Sequence, residues 1–315
     1  MSGFVASAPP SRHISTDVGV GGAKEEEKKN PKFRYLSAWF CPYAHRATLA
    51  LEHHSGSIDY EWVEALGWEQ RPDEGGVTGT GKEWWYHWKA DELRRANPSA
   101  LVPTLIPLTE DGSSDESRAV YESLVTVDFV DEVSGASGPD RLVPEDPYEA
   151  ARCRVWADRV NRDCCSPYYG VLVRKEEDER MEHFNKLLSG LRAFSAELGR
   201  TDGPTFLGSD GYGGSAGRLS NVECALIPWA YRYYVFEHYR GTEYKIPIDD
   251  PELGAYHVWL DHVLNIDSVK RTLPEKDRYL EHIGKYADSS ARSKVANAVR
   301  RGAAAHEIDD ERDEY

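Results

Sequence analysis

The sequence predicts two folded parts, a small α/β domain followed by an all-helical one, and three observations predict it. Apolar runs of strand character alternate with helical periodicity only between Phe33 and about Gly135. The stretch SGASGPDRLVPEDP, ending at Pro147, is a linker by composition. Beyond Tyr148 strand signals almost vanish and apolar residues recur at helical spacing. A chain of 315 residues with 40% hydrophobic content can bury two such cores.

Residues 1–32 are rich in Ser, Gly, Pro and charge, include the run KEEEKK, and read as a disordered extension. Phe33 to Ala38 is the first strand. Cys41 then precedes Pro42, which favours the first helical position because its missing N–H would be unpaired there and its φ is already helical. Ala44, Ala47 and Leu51 follow at helical spacing, so Cys41 is placed where the backbone N–H groups of a helix converge. That end favours a thiolate, with Arg46 and a protonated His45 adding to the pull. Ile58 to Val63 alternates as a second strand. Gly67 to Arg95 holds several glycines and the cluster Trp84, Trp85, Tyr86 and Trp88, read as one amphipathic helical turn at the domain edge or as a lid over a substrate cleft. Pro103 stands before the run Thr104-Leu105-Ile106, at a strand start where no ladder N–H is needed. Ala119 to Tyr121 is a short strand, and Ser123 is the N-cap expected for a helix from Leu124 to Glu132.

In the second half, helices are expected over Tyr148 to Cys164, Glu176 to Leu198, Asn221 to Tyr239 and Pro251 to Leu264. Ser220 and Glu223 have the spacing of a capping box, and Pro228 should kink the third of these. The partition is therefore 1–32 extension, 33–135 α/β domain, 136–147 linker, 148–288 helical domain and 289–315 a frayed acidic tail.

The charge balance is 38 Lys and Arg against 54 Asp and Glu, a net charge of −16. It disfavours nucleic acid and anionic membrane surfaces as partners. No stretch approaches the ~20 apolar residues of a membrane helix, and the N-terminus lacks the apolar core of a secretory signal. The expectation is a cytoplasmic protein. Five irregularly spaced cysteines make neither a disulfide framework nor a zinc pattern, so no metal is expected.

The order β-α-β then β-β-α, with CPYAHR after the first strand, LVPTL entering the third and VYES entering the last helix, resembles the cytosolic glutathione transferases. The resemblance covers roughly Phe33 to Leu280. It implies an N-terminal thioredoxin-like domain followed by the all-α domain of that fold, glutathione as co-substrate and a homodimer. FCPYAHR with YESLVTVDFVDE most resembles the omega class, whose active position carries cysteine; the glutathionyl-hydroquinone reductases share a similar turn.

Carried onto this sequence, the resemblance makes Cys41 the catalytic residue that forms a mixed disulfide with glutathione. Val102, before a cis Pro103, would pair with the tripeptide's cysteinyl backbone. Glu122 would take its α-amino group, and Ser123 its γ-glutamyl carboxylate, as a helix N-terminus does for anions. Either Lys82 or Lys89 would meet the glycyl carboxylate. Trp156, Arg159, Tyr168, Tyr169 and Trp229 are the expected lining of the acceptor site. The implied function is a thiol transferase or reductase acting on a disulfide, a glutathionylated substrate, a quinone adduct, an oxidised small molecule such as dehydroascorbate or another small electrophile. A non-catalytic binding module of the same fold is the alternative.

Overall fold

The computed structural model describes residues 30–74, 76, 81–208 and 218–308, so the N-terminal stretch through residue 29, expected to be a disordered extension, Gly75 and Gly79 of the glycine-rich stretch and the acidic end at 309–315 lie outside the described residues. Strand β1 (Lys32–Ser37) leads through a turn to helix α1 (Pro42–His53), and β2 (Asp59–Glu64) returns parallel to β1. A hairpin of β3 (Leu66–Pro72) and β4 (Lys82–Lys89) follows, then a short α2 (Asp91–Ala96). The chain rejoins the first sheet as β5 (Thr104–Pro107) and β6 (Val120–Tyr121), both antiparallel pairings, and closes the domain with α3 (Ser123–Val133). The sheet order is β2-β1-β5-β6. Tyr35, Leu36, Leu105 and Ile106 from its centre are fully buried with Ala44, Ala47 and Leu51 of α1 and Val127 and Val130 of α3. Each of the larger side chains so buried contributes about 1.5–3 kcal/mol.

The remainder is helical as expected: α4 (Pro147–Val160), α5 (Pro167–Val173), α6 (Glu177–Leu198), α7 (Asn221–Ala230), α8 (Tyr234–Arg240), α9 (Gly254–Asn265), α10 (Asp267–Lys270) and α11 (Lys276–Ala287). The capping box at α7 forms, and Glu223, fully buried, also accepts from the Phe206 N–H at 2.9 Å and the Trp259 indole at 3.1 Å. The single helix expected from Asn221 to Tyr239 is two, because Pro228 cannot donate to the Cys224 carbonyl and the chain turns before α8. The helix begun at Pro147 likewise opens into a π turn at Asn161–Cys165 ahead of Pro167.

Two expectations fail. The aromatic cluster is no helical turn: Trp84, Trp85 and Tyr86 sit mid-strand in β4, facing Gln70, Glu69 and Trp68 of β3. Aromatic residues favour strands wherever a partner edge exists, and β3 supplies one. Between Ser289 and residue 308 the tail is also not frayed. It forms β7 (Ala291–Arg292), parallel to β4, and α12 (Lys294–Arg300), and Ala296, Val299 and Ala305 are buried. Arg292 holds Glu83 of β4 at 2.7 Å with both side chains largely buried, so the hairpin and the C-terminal segment fix each other. The acidic run at the end of the sequence masks this short apolar stretch.

Candidate active site

A cleft of ≈ 490 Å³ opens between the two domains, and Cys41, Val102, Pro103, Glu122 and Ser123 all line it. Local rules place each one. Cys41 is the N-cap of α1, at φ −78° and ψ 117°, with Pro42 in the first turn. The Val102–Pro103 bond is cis, and Val102 precedes the first ladder residue of β5. Among the described residues no hydrogen bond occupies its N–H or C=O. Glu122 rather than Ser123 is the N-cap of α3; it holds φ at 70°, a left-handed value that a non-glycine residue adopts only when its surroundings impose it. Ser123 is the first helical residue, and its hydroxyl accepts from Arg46 Nη1 at 3.0 Å.

Arg46 is 1% exposed and carries the site's architecture. Besides Ser123 it donates to the Ala225 carbonyl at 3.0 Å and to Asn161 Oδ1 at 2.9 Å, and it lies over the Trp229 ring at 4.3 Å. A single guanidinium thereby ties the helix bearing Cys41 to α3, to the π turn and to α7. His45, next to it, accepts at Nδ1 from Arg232 Nη1 at 3.0 Å. Arginine can only donate, so the imidazole proton sits on Nε2 and reaches Thr272 Oγ1 at 2.7 Å. Burial, and then the Arg232 charge, hold His45 well below its ordinary pKa. The expectation that a protonated His45 assists Cys41 is therefore overturned: His45 is neutral, and Arg232 supplies a cation instead.

The Cys41 thiol itself departs from expectation. Burial pushes it above its ordinary value, and the N–H groups of Ala44 and Tyr43, then Arg232 and Arg46, pull the other way without fully offsetting that cost. The helix end behaves as reasoned from the sequence; the seal above it was not foreseen. Ala305, His306 and Ile308 line the same cleft. The Tyr43 hydroxyl donates to the Ala305 carbonyl at 3.1 Å, and the Ala305 N–H to Ser166 Oγ at 3.0 Å.

The other expected residues divide. Tyr169 lines the cleft, beside Tyr279, His282 and Tyr286. Tyr168 is fully buried behind that wall, with its hydroxyl 3.4 Å from that of Tyr279. Trp229 is fully buried beneath Arg46 and edge-on to Tyr43, so it supports the floor and does not line it. Trp156 and Arg159 stack on each other in a separate surface depression with Arg152 and Glu197. Neither Lys82 nor Lys89 lines the cleft; Lys82 lines a different pocket with Trp39 and Trp84, because β4 runs away from Cys41. The residues that sequence reasoning missed are Arg232, His282 and Lys294. Lys294 is buried and donates to the carbonyl of Ser99, a cleft residue, at 3.4 Å. For Arg232 the only available signal was a charge set among apolar helical positions.

Comparisons with known proteins point one way. The family described as glutathione S-transferase, N-terminal domain, matches residues 40–133. A probable glutathione S-transferase of Oryza sativa subsp. japonica, GSTU6, is 28% identical over 256 residues, covering 79% of this chain and 92% of that protein. Rice GST1 (OsGSTU1), solved in complex with glutathione, superposes with a TM-score of 0.60 at 25% identity, over 81% of this chain and 96% of that one. Glutathione transferase Omega 3C of Trametes versicolor gives 0.59 at 24% identity, over 83% and 93%. The plant relatives are of the tau class, and the omega class enters through structural neighbours. With the thioredoxin-like domain, the helical domain and the cleft between them all accounted for, the chain has the glutathione S-transferase fold, and its residues 40–133 match that family's N-terminal domain.

Proposed function

We propose that the chain is a glutathione-dependent thiol transferase of omega-like character, with Cys41 as its nucleophile. The observation that carries this is the convergence of Cys41, Val102, Glu122 and Ser123 on one cleft. In this reading the γ-glutamyl carboxylate meets Ser123 and the N–H groups at the head of α3, the α-amino group meets Glu122, and Val102 pairs with the cysteinyl backbone. The glycyl end then faces Asn97 and Ser99, where Lys294 brings a cation. The Cys41 thiolate attacks the glutathionyl sulfur of a mixed disulfide and releases the substrate thiol. A second glutathione thiolate attacks the Cys41 adduct and leaves as oxidised glutathione, which restores the enzyme. The acceptor lies against Tyr169, Tyr279 and Tyr286, an aromatic wall suited to flat substrates.

Two observations favour a second reading. Burial raises the Cys41 thiol, and the plant relatives are tau-class transferases. A protonated Cys41 would donate its S–H to a bound glutathione thiolate and leave that thiolate to attack an electrophile. Intact mass after incubation with oxidised glutathione separates the two. One glutathione adduct, lost in Cys41→Ser, supports transfer through Cys41. Absence of the adduct, together with conjugation of an aromatic electrophile, supports the second reading. Absence of both leaves a binding module.

A further inference from the structure

A second pocket of ≈ 630 Å³ lies on the other side of His282 from the Cys41 cleft; His282 lines both, stacked on Phe40 at 4.1 Å. Its walls include Trp39, Trp84 of β4 and Tyr239 of α8, and Lys285 of α11 lines it while remaining only 9% exposed. The Lys285 ammonium sits over the Trp68 and Trp84 rings at 5.0 and 5.2 Å and donates to the His282 carbonyl at 2.6 Å. Among the described residues no carboxylate comes within ion-pair distance of it. A buried lysine on an aromatic floor, without a counter-ion and open to a cavity, is the arrangement that turns lysine into a nucleophile.

We propose that Lys285 is a reactive amine and that its pocket takes aromatic aldehydes as a reversible imine. The Lys285 Nζ lone pair attacks the carbonyl carbon, and the carbonyl oxygen takes up the proton that nitrogen gives up. The resulting carbinolamine loses water and leaves the C=N bond, so the step needs no oxidant or reductant. His282 Nδ1 lies 3.2 Å from Nζ, close enough to relay that proton. His282 is itself neutral, because burial and then the Lys285, Arg232 and Arg278 charges hold it well below its ordinary pKa.

The electrostatics support the same role. Burial lowers the Lys285 ammonium to about 7, against the opposing pull of Asp288 and Glu281 on its own helix and the turn after it. The other charged groups lining the pocket are Lys82 from β4, Arg240 from α8 and Arg278 from α11, all cations. At neutral pH roughly half of Lys285 is then free amine, whereas a lysine of ordinary pKa ~10.4 is less than about 0.1% free.

The test treats the full chain with benzaldehyde and cyanoborohydride near neutral pH, traps the imine as a benzylamine and maps it by peptide mass. The expected result is benzylation at Lys285 at least about tenfold above any other lysine, with a pH midpoint near 7 rather than near 10. Lys285→Arg, which keeps the charge, should abolish the adduct. Cys41→Ser should leave it unchanged, so this outcome is independent of the thiol chemistry. Even labelling across surface lysines in the unmodified protein would overturn the proposal whatever the variant does. Equal labelling of Lys285 by butanal would overturn its assignment to aromatic aldehydes.

Discussion

Arg232 and His45 are joined by a hydrogen bond of 3.0 Å in which the arginine is fully buried and the imidazole stays neutral. Nε and Nη2 of Arg232 find no hydrogen-bond partner, and no carboxylate pairs with it among the described residues. A buried cation without a counter-ion costs several kcal/mol. The group whose ionisation would offset that cost is Cys41, on which Arg232 exerts the leading favourable charge. A Cys41 thiolate would be the anion that completes the site, formed against the burial that raises the thiol.

Removing this charge should raise the Cys41 thiol further, since a nearby cation stabilises the thiolate and not the thiol. Arg232→Met is expected to move the inflection of alkylation rate against pH upward by about one unit, which is about 1.4 kcal/mol or a tenfold slower reaction at neutral pH. Arg232→Lys keeps the charge and should recover most of the rate. An inflection that stays in place in the methionine variant would show that the guanidinium is structural.

The placement of Cys41 and Val102 is legible in the sequence because each obeys a rule of local backbone geometry, a proline at a helix start and a proline at a strand start; Glu122 came from the resemblance alone and takes the cap position expected of Ser123. Lys82 and Trp84 were misplaced because their surroundings are set by the pairing of β4 with β3 and with β7, more than two hundred positions away in the chain. The neutral state of His45 and the raised Cys41 thiol follow chiefly from burial in the assembled fold, which no local window contains. Tail composition misled for the same reason, since Arg292 reads as solvated until Glu83 is known to face it.

Glu122 and Ser123 should differ when removed, although both face the cleft. Glu122 is exposed, so Glu122→Ala is expected to weaken glutathione binding by about 1.5–3 kcal/mol, the worth of a charged hydrogen bond, with little change in stability. Ser123→Ala removes a ligand contact and also strands Arg46 Nη1, so it should lower stability by a further 1–3 kcal/mol or so. Calorimetric titration with glutathione and urea unfolding measure the two effects. Unchanged affinity in both variants would place the tripeptide elsewhere.

Asp131 sets an acid limit on the fold. It is fully buried at the end of α3 and accepts from His54 Nε2 at 3.0 Å, Leu142 N–H at 2.7 Å and Val143 N–H at 3.1 Å, with Arg141 at 3.1 Å. Burial alone would push its pKa up; these donors outweigh burial and hold the carboxyl below its ordinary value. A depressed folded pKa contributes stability that is complete above the unfolded value of about 3.9 and is lost as pH falls through the folded one. Asp131→Asn should therefore cost on the order of 3–5 kcal/mol at neutral pH and flatten the loss of stability below about pH 4. Urea unfolding across that range checks it, and an unaltered slope would mean that other carboxylates govern the acid transition.

The seal over Cys41 gives the last prediction. Ala305 is 1% exposed and held at both ends of its peptide, by Tyr43 through its carbonyl and by Ser166 through its N–H. His306 and Ile308 extend the cover along the cleft. Burial is the largest cause of the raised thiol, so removing this cover admits water and should lower the Cys41 pKa. A chain ending at Gly302 keeps α12 and Arg292 and loses the two bonds that hold Ala305 together with the Ala303 N–H bond to the Ala298 carbonyl, a stability cost of about 1–3 kcal/mol. Its Cys41 should alkylate roughly tenfold faster near neutral pH, which corresponds to a downward shift of about one unit. Tyr43→Phe releases one latch and leaves the cover in place, so its rate should fall between those of the full and shortened chains. If the shortened chain reacts no faster than the full one, residues 303–308 do not shield the thiol, and the raised pKa arises from the aromatic wall of Tyr169, Tyr279 and Tyr286.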